Sequence, residues 1–590
     1  MRLSRIPDLS SDRALVRLAL AVTLVVAAAL TWRDWNLAKS LGDTDDAMRL
    51  VLVRDLLSGR GWYDQWVGRL QPPMGVYMHW SRLLDGGLAA MTAMFRLALP
   101  PAAAETATRL VWPLMWIFPA ALCSLALARR LGGSAAMFVC AAILAVNLQI
   151  YEQFHPGRVD HHDVQIVMAL VAAVCAMTRA RRAHWALVGG AATGFGLAVG
   201  MEALPFEAVV GASYALRLAW DEGEAEAGRN YGAALAASTI GFFLLQTPPM
   251  RWGIAACDAL GLNLVAAVTV AGAGLALLAA FAGRLSRPAR LAGLAGLGLA
   301  VAVIYLKFDP LCLGGPFAAV DPRLKPFWFD RITELLSWPQ LLRSDRVTAV
   351  FTITAGVGVA LAVIVRLLLE RSRISADVAL ACVLGLLAVV LASQAYRMQD
   401  YVFWLGFPML AWLFGWIVER WLGGVTLAAV AISLFASPLF LGAGAGKAVE
   451  LALGPPPASA IRPVISSACY DTAAYRQLAA QPPGLVLGGI DLGSFVLANT
   501  PHSVVTAPYH RMSWGIYAAH QAMAASPNEA EARVRALKVD YVVDCPTAPL
   551  TSGPSSLEAS LRRGLVPSWL DPLPAKGQVL KTYRVRPRIG

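Results

Sequence analysis

The residues best suited to chemistry lie in a short polar segment, residues 151–163, between two long apolar runs. In thirteen residues it contains three histidines, two aspartates and an arginine. Its centre places carboxylate oxygens beside imidazole nitrogens, a donor set that suits divalent metal ions: Asp160, His161, His162 and Asp163. Ionisable groups next to segments that can enter lipid are usually functional. A hydrated polar loop without a ligand is the alternative interpretation.

A second acidic cluster, Asp43-Thr44-Asp45-Asp46, follows the first apolar run. Three carboxylates in four residues repel one another unless a cation or hydrogen-bond donors offset their charge. A solvated acidic turn is the alternative. If both clusters lie at the same membrane face, they can share one cation.

Single candidate groups occur in other polar segments. Glu334 follows an aromatic stretch, and His79 lies close to three tryptophans. Arg397 ends an apolar run, where a guanidinium can bind the oxygens of a lipid phosphate or extend to the head groups. His510 and Arg511 end a short segment, residues 507–511, that is either a site for a substrate or its phosphate or an ordinary turn.

Composition predicts what positions these groups. Hydrophobic residues make up 57% of the 590 residues and charged residues 15%, and the mean hydropathy is +0.57. Such values, with long apolar runs, indicate a polytopic membrane protein. The net charge of +12 does not indicate nucleic-acid binding, because many arginines lie in short loops, as the positive-inside rule expects.

The apolar runs predict about thirteen transmembrane helices. They cover residues 18–31, 109–128, 134–150, 164–177, 185–201, 205–218, 231–246, 264–282, 291–305, 347–369, 378–395, 401–418 and 425–441. The arginines alternate between loops so that the N-terminus is predicted in the cytoplasm. Three long loops then lie outside: the first outer loop (32–106), the second outer loop (151–163) and the fifth outer loop (307–346). We expect a multi-pass protein of a bacterial cytoplasmic (inner) membrane.

The composition changes after the last apolar run, so residues 1–441 are predicted as the transmembrane domain and 442–590 as a periplasmic domain. A Gly-Pro-Pro-Pro linker occupies residues 454–457. Strands at 485–490, 503–506 and 539–543 alternate with helices at 513–525 and 529–537, which indicates an α/β domain. Its two cysteines, Cys469 and Cys545, can form a disulfide outside the cytoplasm or stay free.

Several motifs resemble those of one enzyme family. Asp46, followed by Gly61-Trp62-Tyr63, is similar to the family's first-loop aspartate and its Gly-Phe-Tyr, with Asp45 as the alternative alignment. Residues 157–162 resemble its second-loop Asp-x-His motif, and residues 331–334 match two positions of its Thr-Ile-x-Glu motif. Arg397 lies where the family has an arginine near the lipid phosphate. The chain therefore resembles the catalytic subunit of oligosaccharyltransferase, of the PglB and AglB type, among the GT-C membrane glycosyltransferases.

The C-terminal domain extends this resemblance and departs from it at one place. From Asp491-Leu492-Gly493 to residues 539–543 it follows the family's order of motifs. The two tryptophans of the family's Trp-Trp-Asp motif, which reads the hydroxyl residue of the asparagine sequon, are replaced by Gly489-Ile490. The resemblance thus implies that the part of the active site that binds the sugar donor is retained, whereas the part that binds the acceptor is changed.

The resemblance implies a GT-C fold and a metal-dependent site. The expected cation is Mn²⁺ or Mg²⁺, and one imidazole among oxygen ligands favours Mn²⁺. Its expected ligands are Asp46, Asp160, His162 and Glu334. The residues expected to bind substrate or its phosphate are Arg397, His79, His161, Asp491, His510 and Arg511. Asp45 or Asp46 is expected to orient the acceptor or to act as a base.

The predicted function is transfer of a sugar or glycan from a polyprenyl-(pyro)phosphate-linked donor to an unknown extracytoplasmic acceptor, other than sequon N-glycosylation. One alternative is a GT-C transferase that takes a sugar from a polyprenyl monophosphate and modifies a lipid or polysaccharide. Another is a non-catalytic protein that binds or flips lipid-linked glycans. A flippase would place ionisable residues within its spans, whereas here they cluster in the outer loops.

Overall fold

The computed structural model describes residues 4–370, 374–435, 437–454, 467–548, 550, 552–574 and 579–587. Within them, long helices fill the first three quarters of the chain, and a five-stranded sheet lies near its end. Residues 455–457 of the predicted linker lie outside the described residues. Below, "outer" denotes the side of the helical domain that faces this sheet.

Each predicted span overlaps a helix of the structure. The helical segments are Asp12–Asp34, Pro101–Val146, His162–Ala176, Arg182–Val199, Leu204–Trp220, Ala225–Gln246, Leu262–Ala280, Arg287–Phe308, Arg346–Leu369, Ala376–Gln394, Tyr396–Trp421, Thr426–Phe435 and Pro438–Leu453. Within the described residues, eight helices are long and apolar enough to cross a membrane by length and composition alone. The chain is therefore a multi-pass membrane protein.

The helix Pro101–Val146 contains two of the predicted spans. Its 46 residues would extend roughly 70 Å at 1.5 Å per residue, whereas the hydrocarbon core is about 30 Å thick. The helical backbone is interrupted at Gly132 and Gly133, and Gly133 has φ +64°. That left-handed conformation is readily adopted by glycine. The two glycines therefore divide the segment into two spans, as the sequence predicts.

The C-terminal sheet has three parallel strands followed by two antiparallel ones. In spatial order its strands are Ser503–Val504, Leu485–Leu487, Tyr541–Asp544, Lys581–Val585 and Leu570–Pro572. Its principal helices are Leu492–Asn499, Ser513–Ala524, Pro527–Ala536 and Leu557–Arg562. The prediction of an α/β domain is confirmed, including the start of one helix, where Ser526 and Glu529 form a capping box.

Three features of this domain differ from the prediction. The two antiparallel strands were not predicted, because they are short and carry charged residues and a proline. The helix Leu492–Asn499 was also missed, since its eight residues are too few to show a helical period. Finally, the helix Pro438–Leu453 continues past the predicted domain boundary at 441/442.

The first outer loop is built into the C-terminal domain. It contains the helices Thr44–Leu57 and Arg82–Arg96 and a hairpin of Trp66–Val67 with Val76–Tyr77. Just after the first hairpin strand, the N–H of Gln71 donates to the carbonyl of Val504 at 2.8 Å, and the N–H of Val504 donates to the carbonyl of Arg69 at 2.9 Å. The loop thereby pairs with the edge strand of the sheet through an isolated parallel β-bridge between Leu70 and Val504. The loop and the domain also share one apolar core.

Two arginines of this loop bind the end of one helix in the C-terminal domain. The guanidinium of Arg69 donates to the carbonyls of Leu497, Thr500 and His502 at 3.0, 2.9 and 3.2 Å. Arg54 donates to the carbonyl of Ala498. The last carbonyls of a helix lack partners within it, so these contacts satisfy groups that would otherwise be buried without a donor.

Two disulfides link the outer segments. Cys469 is bonded to Cys545 within the C-terminal domain, which is one of the two states that the sequence allows. Cys257 is bonded to Cys312, which joins the fourth outer loop (247–261) to the fifth and was not anticipated.

Replacing Arg69 should loosen the first outer loop. We expect Arg69→Met to lower the free energy of opening this loop by roughly 2 kcal/mol, the usual scale for hydrogen bonds from a charged donor. Limited proteolysis in detergent should then cut the loop about 30-fold faster. Arg96→Met removes an exposed arginine of the same loop and should digest like the wild type. Equal rates for both variants would contradict the account.

Candidate functional site

The outer loops and the C-terminal domain enclose a cavity of about 1810 Å³. Among the residues lining it are eight predicted site residues: Asp45, His79, His161, Glu334, Arg397, Asp491, His510 and Arg511. The other three, Asp46, Asp160 and His162, are buried behind its wall. Residues that are up to 466 positions apart in the chain, from 45 to 511, thus lie around one cavity.

The first acidic cluster begins a helix, and this decides where its carboxylates point. Asp43 is the N-cap of Thr44–Leu57, and its side chain accepts a hydrogen bond from the N–H of Asp45. Acidic residues in a first helical turn are favoured by the helix dipole. Because successive helical residues differ by about 100° in direction, Asp45 and Asp46 face different surroundings.

Asp46 faces away from the cavity and is fully buried. Its Oδ1 accepts a hydrogen bond from the N–H of Val159 at 2.7 Å, and its Oδ2 accepts one from Nη1 of Arg158 at 3.1 Å. Burial raises the pKa of Asp46 to about 7, although Arg158 opposes the shift. Both oxygens are therefore engaged with the second outer loop.

Asp45 faces the cavity and makes no side-chain hydrogen bond within the described part of the chain. Burial and the nearby carboxylates of Asp160, Asp43 and Glu334 raise the pKa of Asp45 well above its usual value. Such repulsion is what a bound cation relieves. Of the two aligned aspartates, Asp45 lines the cavity together with Glu334 of the fifth outer loop, whereas Asp46 is bound to the second outer loop.

Asp160 is buried among cationic and imidazole groups. Its Oδ1 accepts hydrogen bonds from Nδ1 of His161 at 2.6 Å and from Nη2 of Arg49 at 3.3 Å. Its Oδ2 lies 3.1 Å from Nε2 of His162, yet no donor of the described residues is oriented to form a hydrogen bond with it. This oxygen thus has no donor among the described residues, and the neighbouring Nε2 of His162 has a long contact of 3.5 Å with Nη2 of Arg397.

Sequence reasoning missed Glu202, which lies at the centre of the site. Its Oε2 is 2.9 Å from Nδ1 of His162, and its Oε1 is 2.6 Å from Nη2 of Arg397. Despite its burial, Arg397 and His162 lower the pKa of Glu202 well below its usual value. One signal was available: Glu202 follows the predicted span 185–201 directly, where an acidic residue at the membrane boundary suggests function.

Arg397 connects Glu202 to the fifth outer loop. Its Nη2 also lies 3.4 Å from Oε2 of Glu334, whose side chain is 45% exposed. Glu334 therefore has a weak ion pair and an open side towards the cavity. The structure places Glu334 and Arg397 near the second outer loop, as the sequence predicts. Glu202, which connects Arg397 to His162, could not be predicted from residue spacing alone.

These residues fit a divalent cation. Asp160, His161 and His162 offer donor atoms that lie within 4.8 Å of one another. Glu202 engages Nδ1 of His162, so a metal would bind Nε2 in place of its 3.5 Å contact with Arg397. A second ligand on Nδ1 is the usual arrangement around a metal-binding histidine. Carboxylate oxygens with one or two imidazoles suit Mn²⁺ and are compatible with Mg²⁺. Asp46 does not join this set because both its oxygens are hydrogen-bonded.

Asp491 and the altered acceptor motif form another part of the wall. Asp491 precedes the helix Leu492–Asn499, and Gly489 and Ile490 line the cavity beside it. Burial and the carboxylate of Asp43 raise the pKa of Asp491 to about 6. The position of the missing tryptophans is therefore open to the cavity.

A second polar cluster contains three predicted residues and one that was missed. Asp258 of the fourth outer loop lies 2.6 Å from Nε2 of His510 and accepts two hydrogen bonds from Arg511, each of 2.7 Å. The ring of His79 meets that of His510 edge-on, with centroids 4.5 Å apart. The guanidinium of Arg511 is thus bound to the carboxylate of Asp258, whereas the sequence predicts that it binds the substrate or its phosphate.

Solved structures of an archaeal oligosaccharyltransferase have the same fold. The Archaeoglobus fulgidus oligosaccharyltransferase AglB, in complex with an inhibitory peptide and a dolichol-phosphate, matches with a TM-score of 0.65 at 13% identity over 90% of this chain and 69% of that chain. The A. fulgidus enzyme tethered to an acceptor peptide with the NVT sequon matches with a TM-score of 0.64 at 14% identity, over 90% of this chain and 69% of that chain. The complex of the A. fulgidus enzyme with Zn and sulfate matches with a TM-score of 0.58 at 15% identity, over 90% of this chain and 68% of that chain.

No protein-family model matches the sequence, and no curated protein matches it significantly. At this identity the structural matches show the fold alone. They confirm the predicted oligosaccharyltransferase-like GT-C fold, a helical membrane domain with a C-terminal α/β domain.

The burial of His79 should make the outer region sensitive to acid. Burial, with His510 beside it, lowers the pKa of His79 well below its usual value. The folded protein therefore keeps His79 neutral, whereas the unfolded chain binds a proton below about pH 6.5, so stability falls as the pH decreases. We expect acidification from about pH 7 to pH 5 to lower the Tm of the wild type, followed by tryptophan fluorescence, relative to that of a variant without this imidazole.

The matched variants are His79→Gln and His184→Gln. His79→Gln should show a smaller decrease in Tm on acidification. His184 is exposed on the opposite side, and its variant should follow the wild type. Parallel curves for all three proteins would show that His79 is not the group responsible.

Proposed function

We propose that the protein is a membrane glycosyltransferase that transfers a sugar or glycan from a polyprenyl-(pyro)phosphate-linked donor to an acceptor on the outer side, with a divalent cation. The observation that carries the proposal is the convergence of Asp45, Asp160, His162, Glu334 and Arg397 at one cavity wall. The fold adds support, because the A. fulgidus enzyme with this fold is described in complex with a dolichol-phosphate and with an acceptor peptide.

The residues proposed to bind Mn²⁺ or Mg²⁺ are Asp45, Asp160, His162 and Glu334. They come from the first, second and fifth outer loops, so binding also joins these loops. When bound, the cation would neutralise negative charge on the leaving phosphate. Glu202 orients His162 through its Nδ1, and Arg49 neutralises part of the charge of Asp160.

Arg397 is proposed to bind the donor phosphate. Its contacts with Glu202, Glu334 and His162 all use Nη2, and its Nε–H has no partner within the described residues. The rest of the guanidinium can therefore meet phosphate oxygens, for which its planar geometry is suited. Glu202 holds both Arg397 and His162, so it fixes the phosphate-binding group relative to the cation-binding group.

The acceptor is proposed to enter beside Asp491. Gly489 and Ile490 there replace the tryptophans that read the sequon hydroxyl in the family, so this wall favours an acceptor other than an asparagine sequon. The proposed location is the outer face of a bacterial cytoplasmic membrane, with the polyprenyl chain of the donor in the bilayer.

Hydrolysis of a lipid-linked donor tests the function without a known acceptor. Purified protein in detergent, incubated with a radiolabelled polyprenyl-linked glycan extract, should release sugar when Mn²⁺ is present. The chelator EDTA should abolish the release, because the phosphate charge is no longer offset. The lipid product, polyprenyl phosphate or pyrophosphate, identifies the donor class.

The control is Asp160→Ala, which should release at least about 100-fold less sugar. Its Tm should be checked to establish that it is folded. Failure of the folded wild type to release sugar with any divalent cation would exclude the proposed transfer and favour the binding or flipping function.

The two adjacent aspartates should behave differently in the same assay. Asp45→Asn should lower release at least about 100-fold and weaken Mn²⁺ binding, because it removes a proposed ligand. Asp46→Asn keeps hydrogen bonding to Val159 and should retain the same Mn²⁺ dependence with a smaller loss. Loss of Mn²⁺ binding in Asp46→Asn alone would reverse the assignment.

A further inference from the structure

The cavity contains a second ionisable cluster that the proposed cation site does not use. It consists of His79, Asp258, His510 and Arg511, all of which line the cavity. Asp258 is in the fourth outer loop, and the two residues that contact it lie 252 and 253 positions later in the chain. Its side chain is 11% exposed, and that of His510 is 13% exposed. The cluster is thus partly shielded, with His510 still reachable from the cavity.

The contacts decide which ring nitrogen of His510 is basic. Nε2 lies 2.6 Å from Oδ2 of Asp258, and despite burial, the hydrogen bonds from His510 and Arg511 lower the pKa of Asp258 well below its usual value. An ionised carboxylate only accepts hydrogen bonds, so Nε2 carries the proton. In a neutral imidazole the other nitrogen, Nδ1, is then the proton acceptor. Nδ1 has no partner within the described residues.

The imidazole is also held in place from several sides. Arg511 donates two hydrogen bonds to Asp258 and a third to the carbonyl of Tyr77 at 2.9 Å, so the carboxylate itself is oriented. His79 and Phe317 meet the ring edge-on, with centroids 4.5 and 5.3 Å away. An oriented carboxylate that fixes the tautomer and angle of a histidine is the arrangement by which enzymes prepare a general base.

Other ligands fit this cluster less well. A phosphate would face the carboxylate of Asp258, and a metal ion would face the guanidinium of Arg511, so each meets a like charge. Asp45 is repelled by neighbouring acids and is assigned to the cation, while both oxygens of Asp46 are hydrogen-bonded. The group best prepared to accept a proton from a neutral nucleophile is therefore His510.

Neighbouring contacts place the cluster beside the cation-binding residues. The hydroxyl of Tyr509 donates to the carbonyl of Thr44 at 3.0 Å, immediately before Asp45. The ring of Tyr509 meets Trp80 edge-on, and Trp80 packs on the guanidinium of Arg49, which binds Asp160. His510 is thus linked to Asp160 through Tyr509, Trp80 and Arg49, and it lines the same cavity as Asp45.

We propose that His510 is the general base for the acceptor and that the acceptor nucleophile is a hydroxyl group. Asp258 is its positioning residue. The O–H bond of the acceptor breaks and its proton moves to Nδ1 of His510. The acceptor oxygen forms a bond to the anomeric carbon, and the bond from that carbon to the lipid phosphate breaks, with its electron pair leaving on the phosphate oxygen. Without an acceptor, water takes the place of the hydroxyl. This inference rests on the proposed function.

Azide tests the assignment, because it is an anionic nucleophile that needs no deprotonation. The assay is Mn²⁺-dependent release of sugar from the radiolabelled polyprenyl-linked extract by full-length protein in detergent. His510→Gln should lower release to water at least about 100-fold, the usual contribution of a general base. Sodium azide should restore its turnover at least tenfold, with a glycosyl azide as product by mass spectrometry. Asp258→Asn should show a smaller loss and the same rescue.

Two controls separate the base from other roles. His520→Gln replaces another cavity histidine, whose ring stacks on Phe327 with centroids 3.6 Å apart, and it should release sugar like the wild type. Asp160→Ala should lose release and gain nothing from azide. Wild-type rates in His510→Gln, or a loss that azide does not restore in folded protein, would overturn this inference alone. No release by the wild type would overturn the proposed function with it.

Discussion

The buried interaction of Asp46 with Arg158 and Val159 is the contact on which the rest of the site depends. It joins the start of the helix Thr44–Leu57 to the second outer loop. Since Arg158 also binds Asp43 at 2.5 Å, the first helical turn has one orientation, with Asp45 towards the cavity and Asp46 away from it.

The first outer loop also connects the second outer loop to the C-terminal domain. Its backbone pairs with the edge of the sheet at Val504, and its buried Arg49 binds Asp85 and Asp160 at 2.9 and 3.3 Å. The groups proposed to bind the cation and the phosphate are therefore arranged by protein contacts alone. Such preorganisation lowers the cost of bringing charged groups together during a reaction. Asp45 and Glu334 are the exceptions, since Asp45 makes no side-chain hydrogen bond within the described residues and the side chain of Glu334 remains 45% exposed.

The sequence could predict the structural elements that depend on residues close together in the chain. Apolar runs predict the spans, Ser526 and Glu529 predict a helix start, and the motif residues Asp160, Glu334 and Arg397 meet near the cavity as expected. It could not distinguish Asp45 from Asp46, because adjacent residues differ only in the direction that the helix gives them. It also could not find Glu202 or Asp258 as partners, since their contacts join residues that are 40 and 252 positions apart.

The central claim is that one divalent cation lies between Asp45, Asp160, His162 and Glu334. The most direct measurement is an anomalous difference map at the manganese absorption edge, from crystals of the full-length protein grown with Mn²⁺. The account predicts one strong peak with these four side chains around it, and none in Asp160→Ala. A map without a peak there, or with the peak at Asp258 and His510 instead, would contradict the account.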